Sequence, residues 1–150
     1  MLGGLLHRYE VMYVIGSEED LIGLRAAHGD AAVLLYPIRA TREATRALLV
    51  QMLERANALR ESPEYYNTLI NNCTTNILNH VNSVAPDDPV PYGPRVLLPG
   101  YSDQLAYDRG LIDTDLGIEQ ARERFRINER AKVHAGDPGF SMRIREEGPT

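Results

Sequence analysis

A single cysteine, Cys73, is all that this 150-residue chain carries. That excludes an internal disulfide and leaves cysteine usage silent about an oxidising or reducing compartment. No apolar run approaches the roughly 18 to 20 residues of a membrane helix. The opening MLGGLL is too short for the apolar centre of a secretory signal, and no basic residue or small-residue cleavage site frames it. Taken literally, the chain is cytoplasmic. Basic residues are not in excess either: 16 Lys and Arg face 21 Asp and Glu, a net charge of −5. With no local basic stripe, nucleic acid is not an expected partner. Metal-ligand spacing, a phosphate-cradling glycine loop and a Ser-His-Asp set are missing too, so no metal and no cofactor is expected.

What is there reads as one ordinary globular domain. The hydrophobic fraction is 43% and the charged fraction 25%, with length enough to bury a core. YEVMYVI at 9–15 and AVLLYPI at 32–38 read as strands, the second stopped by Pro37. Between them Ser17 and the acids Glu18, Glu19 and Asp20 start a short helix over about 18–27, weakened by Gly23. Thr41 opens the best helix. Its apolar positions Ala44, Ala47, Leu48, Met52, Leu53, Ala56 and Leu59 recur at helical spacing to about Arg60, where Ser62-Pro63 breaks it.

Ile77, Leu78, Val81 and Val84 predict a further helix over 73–84 with Asn72 near its N-cap. The proline-rich run 86–94 is an extended loop. A short helix follows, capped by Ser102 or Asp103 and ended by Gly110, and then a charged helix over 117–134. The tail from Gly136, rich in Gly, Pro and charge, reads as loose. Strand and helix alternating in this order predict a mixed α/β or α+β domain.

Cys73 is the residue that invites chemistry. Loop, then cysteine, then helix is a workable nucleophile geometry, because unpaired N–H groups and the helix dipole favour a thiolate and can hold an oxyanion. A free cysteine is as commonly a small buried hydrophobe. A nucleophile also needs a base, usually histidine. His80 lies two turns along the same helix, about 10 Å away. His7 and His28 flank the first strand and short helix, and His134 ends the charged helix. None is a base by spacing alone. Asn72 either caps the helix or helps to place an oxyanion, with Asn71 and Asn76 satisfying backbone groups in the turn. Tyr65 and Tyr66 pack beside the cysteine or orient a polar partner, and Asp20, Arg25, Asp103 and Arg109 read as surface charges that pair.

Six blocks, YEVMYVIGSEEDLIGLR, VLLYPI, NALRESPEYYNTLINNCTTNIL, RVLLPGYSDQLAYDRGLIDTDL, RINERAK and GFSMRIR, resemble the Lnb-type N-terminal periplasmic domain over about residues 5–145. The block around NNCTTN is the most specific. The resemblance implies an α+β fold related to the permuted NlpC/P60 (papain-like) thiol enzymes, with a small antiparallel sheet packed against helices. It implies a bacterial envelope protein whose cysteine takes an acyl chain from a phospholipid as a thioester and passes it to an α-amino group, as in lipoprotein N-acylation. A cysteine amidase or peptidase acting on cell-wall peptide, and a non-catalytic module holding lipid or a partner, are the alternatives. Carried over, Cys73 is the nucleophile, with Asn72, Thr74 and Tyr66 as weaker orienting candidates. The family's catalytic histidine lies on a strand upstream of HRYEVMYVIG, which has no counterpart here, and His7 is a poor substitute. The missing strand and signal peptide imply a truncated, inactive or impaired chain.

Overall fold

A computed structural model describes residues 9–29, 31–93, 96 and 99–146. In chain order its elements are a π-helical turn Glu19–Gly23 running into α1 (Leu24–His28), α2 (Arg42–Glu61), α3 (Cys73–Val84), a 3-10 turn Pro99–Tyr101 leading into α4 (Ser102–Asp108), α5 (Ile118–Arg124), α6 (Asn128–Val133) and α7 (Phe140–Arg143). They group into two compact units. Unit 1 comprises residues 1–13 and 39–111, and unit 2 comprises 14–38 and 112–150.

The small antiparallel sheet is not found among the described residues. Among the described residues the runs read as strands pair with other segments at isolated bridges instead: Glu10 with Tyr65, Leu34 with Arg126, and Ile38 with Ile112. The described elements are helices, so the strands expected at 9–15 and 32–38, and with them the α+β class, are not formed. Residues 9–11 meet the loop at 64–66, and residues 33–35 meet the turn at 125–127, neither of them a second strand. A ladder needs such a neighbour.

In unit 1, α2 forms where the spacing predicts it. Thr41 caps it, accepting from the Ala44 N–H at 3.1 Å, and Ser62 ends it just before Pro63. Its inward stripe runs through Ala44, Leu48, Met52, Ala56 and the buried Leu59, whereas Leu53 faces solvent. Leu78 of α3 packs with Val90 and Val96, flanked by Val81 and by Leu105 of α4. The Asn82 side chain pins the proline-rich loop, accepting from the Val90 N–H at 2.7 Å and donating to its carbonyl at 2.9 Å. After α4, the Gly110 N–H donates to the Tyr107 carbonyl and the Leu111 N–H to that of Ala106. That pattern requires a left-handed residue, and Gly110 has φ +66°.

Unit 2 is built on an apolar cluster of Ala26, Ile127, Ala131, Phe140 and Ile144, each 2% exposed or less. The charged segment 117–134 is not one helix. It breaks at 125–127, where the Leu35 N–H donates to the Phe125 carbonyl and the Ile127 N–H to that of Val33. The break turns Ile127 fully into the core. The Asn128 side chain then ties three segments, accepting from Val33 N–H at 2.9 Å and donating to the Ala26 and Ala31 carbonyls at 3.1 Å each. Gly23 is there for closeness: a Cβ on it would lie 3.1 Å from the Phe140 ring. The tail segment, whose composition reads as loose, supplies the anchors Phe140 and Ile144.

Candidate functional site

The Cys73 side chain is exposed at the first residue of the 12-residue α3, with its Sγ 3.8 Å from the Thr74 hydroxyl. The helix start is closed by a reciprocal cap. Asn72 Oδ1 accepts from the Thr75 N–H at 2.9 Å, and the Thr75 hydroxyl accepts from the Asn72 N–H at 2.8 Å. Asn72 is buried, and its side-chain amide donates to the Thr68 carbonyl at 2.7 Å. It is thus committed to holding the turn at both ends of its side chain. Asn67 tightens the same loop, exchanging two backbone hydrogen bonds with Asn71 and accepting from the N–H groups of Leu69 and Ile70.

Beneath this loop lies a polar network absent from the sequence reading. Arg55 of α2 grips Glu64 with both terminal nitrogens at 2.6 Å, and its Nε donates to Asn76 Oδ1 at 3.4 Å. Asn71 donates to Glu64 at 3.0 Å and accepts from Asn76 at 2.9 Å. The guanidinium holds the Glu64 carboxyl below the usual carboxylate range. The signal was available: Arg55 lies one turn before Leu59 on the inward stripe of α2, where a charged residue needs a partner.

His80 is buried, two turns beyond Cys73, and its Nε2 lies 2.7 Å from the Tyr13 hydroxyl, the donor being set by the ring's tautomer. The rings meet edge to face with centroids 6.0 Å apart. Burial, then the nearby Arg55 charge, lowers the His80 pKa, and burial raises that of Tyr13. His80 is therefore a neutral, sequestered ring rather than a partner of the thiol. His134 belongs to unit 2, with Nδ1 3.7 Å from an Asp137 oxygen. His7 lies outside the described residues, and His28 closes α1 with its backbone.

Tyr66 is half-buried, its N–H donating to the Tyr9 carbonyl at 2.7 Å, while the exposed Tyr65 bridges to Glu10. Arg109 pairs with Asp88 at 3.0 Å. Thr74 lines a cavity of about 140 Å³ whose walls include Ile77, Leu78, Val81, Val96 and Leu105. Leu69, Ile70 and Ile77 are exposed on the loop before Cys73 and one turn after it. Among the described residues there is no cluster able to hold a metal ion, and no helix is long and apolar enough to cross a membrane.

Neither the curated proteins nor the solved structures contain a match to the chain. A family model does match, over residues 1–100, a span that takes in Cys73, the polar network and the whole of α3. The later blocks of resemblance, from YSDQLAYDRG onward, lie beyond it. With two thirds of its 150 residues covered by that match, the chain belongs to the Lnb N-terminal periplasmic domain family.

Proposed function

We propose that this domain of the bacterial envelope is a thiol acyltransferase with Cys73 as its nucleophile. The observation that carries the reading is an exposed thiol at a rigidly capped helix start, beside an apolar cavity that begins at Thr74. Ile77 lines that cavity, and Leu69 and Ile70 are further exposed apolar side chains on the loop before the cysteine. Such surroundings suit a lipid ester better than a cell-wall peptide.

The thiolate attacks the ester carbonyl of a phospholipid, and the C–O bond breaks as the C–S bond forms. The lysophospholipid oxygen leaves with a proton. The α-amino group of a lipoprotein then attacks the thioester carbonyl, the C–S bond breaks, the amine gives up a proton and the thiolate returns. The Cys73 and Thr74 N–H groups, which stand outside the reciprocal cap that takes those of Asn72 and Thr75, are the donors for the oxyanion in both steps. A base is needed to remove the thiol proton. The sequestered His80 does not serve, which favours a second reading in which the domain holds lipid without transferring it.

Mass spectrometry of Cys73 after incubation with phosphatidylethanolamine vesicles tests the proposal. An acyl adduct that disappears in Cys73→Ser is expected. Vesicle binding without an adduct turns the reading to a lipid-holding module, and peptide release from peptidoglycan turns it to hydrolysis.

A further inference from the structure

We infer that a cavity within unit 2 binds a small organic oxyanion, a phosphate or carboxylate carried on an apolar body. The cavity measures about 320 Å³, at the lower end of the range for small-molecule sites. Its apolar side is formed by Tyr36 and Phe125, whose rings meet edge to face with centroids 5.5 Å apart, and by the fully buried Ile144. Its polar side carries three guanidinium groups, those of Arg124, Arg130 and Arg145.

The three arginines are not equivalent. Arg145 is neutralised by Glu18, whose two carboxylate oxygens both receive its N–H groups, so that carboxylate is already occupied. Arg130 has no such partner. Its terminal nitrogens donate to the backbone carbonyls of Glu146 and Arg126 at 3.2 Å each, and among the described residues no carboxylate pairs with it. Its Nε is buried and donates to nothing. A buried donor with no acceptor costs free energy, and a full positive charge beside carbonyl dipoles alone is only partly compensated. An oxyanion entering the cavity supplies the missing countercharge, because its oxygens match the N–H groups of a guanidinium.

The apolar wall fixes the rest of the ligand. Tyr36, Phe125 and Ile144 offer contact to a compact ring or branched aliphatic group and nothing to a bare ion. The class is thus an anion with a hydrophobic body. The site lies in unit 2, away from the sequence around Cys73, and stands or falls apart from the proposal for that residue.

Phenyl phosphate, benzoate, inorganic phosphate and phenol, titrated into the full chain and followed by nitrogen-detected NMR of the arginine Nε–H signals, test the assignment. Phenyl phosphate or benzoate is expected to move the Arg130 Nε–H signal and to bind more tightly than inorganic phosphate, with phenol leaving it in place. Which of the two binds separates the phosphate from the carboxylate class. Arg130→Gln should weaken binding about tenfold or more, and Arg124→Gln, at an exposed position, by a smaller factor. If Arg130→Gln does not fold, the wild-type Nε–H shift and Arg124→Gln decide. Phenol binding as well as the anions, an unmoved Arg130 signal at saturation, or no binding by either organic anion overturns the inference.

Discussion

Unit 1 buries the polar Asn72, Thr75, Asn76 and His80, all within α3 or its cap, beside an apolar cluster of Leu78, Val90 and Val96, whereas the buried side chains of unit 2 are the apolar Ala26, Ile112, Ala121, Ile127, Ala131, Phe140 and Ile144. Those four are the buried polar residues found among the described residues. Polar interiors are poor at contributing stability but good at fixing geometry, since each group must meet a particular partner. In unit 1 that geometry ends at an exposed thiol, and in unit 2 the apolar cluster carries the packing.

The comparison can be broken by substitution. The largest effect is expected from Ile144→Ala. Removing a fully buried branched side chain from unit 2 should cost about 2–5 kcal/mol. Urea unfolding followed by CD measures it, and a loss below about 1 kcal/mol would mean that the apolar cluster is not the stabilising element supposed here.

A smaller effect, of about 1–2 kcal/mol, is expected from Asn72→Ala, which removes the cap of α3 and the donor to Thr68. Its distinguishing mark is chemical. The alkylation rate of Cys73 by iodoacetamide should change in Asn72→Ala and remain as in wild type in Ile144→Ala at temperatures where both are folded. Equal changes in both would erase the contrast between the units.

The smallest effect is in pH. His80 has a lowered pKa in the folded chain, so the unfolded chain binds the extra proton first. Its contribution is present above pH 6.5 and is lost as pH falls from there through the folded value. Glu18 in unit 2 is held at about 2 by Arg145, against an ordinary value of 4.5. Its contribution is present above pH 4.5 and is lost as pH falls toward 2. Thermal unfolding of wild type and His80→Gln across pH 4–8 should therefore converge as pH drops below 6.5, while Glu18→Gln remains apart from wild type until well below 4.5. A His80→Gln difference that does not vary between pH 5 and 8 would contradict this order.

The helices that carry the site were legible because their signals are local. Thr41 and Asn72 are caps, and α2 and α3 show their period within their own residues. What stayed hidden depends on partners remote in sequence. The run 32–38 reads like a strand, yet its neighbour is a break in a charged helix, and nothing in RFRIN announces that Ile127 turns inward there. The Arg55–Glu64 pair is a similar case, since two charges nine residues apart across a proline look like solvent residues until the loop folds back. Cys73 itself was read as an exposed nucleophile or a core residue, and its exposure was decided by a cap that faces inward while the thiol faces out.

The interleaving of the two units along the chain bears on how the molecule is made. Unit 2 is closed by Asn128 reaching Val33 and Ala26, and by Arg145 reaching Glu18, contacts separated by 95, 102 and 127 positions. Residues 14–38 are synthesised before α2 and α3 and must wait through both for those partners. The loop entropy of such closures is paid before their contacts repay it, which slows folding. During that interval Ile22, Ala26, Val33 and Leu35, which in the finished unit pack against Ile127, Ala131, Phe140 and Ile144, have nothing yet to fold against. The nascent chain would thus need protection by a chaperone at residues 14–38, long before the residues that complete unit 2 exist.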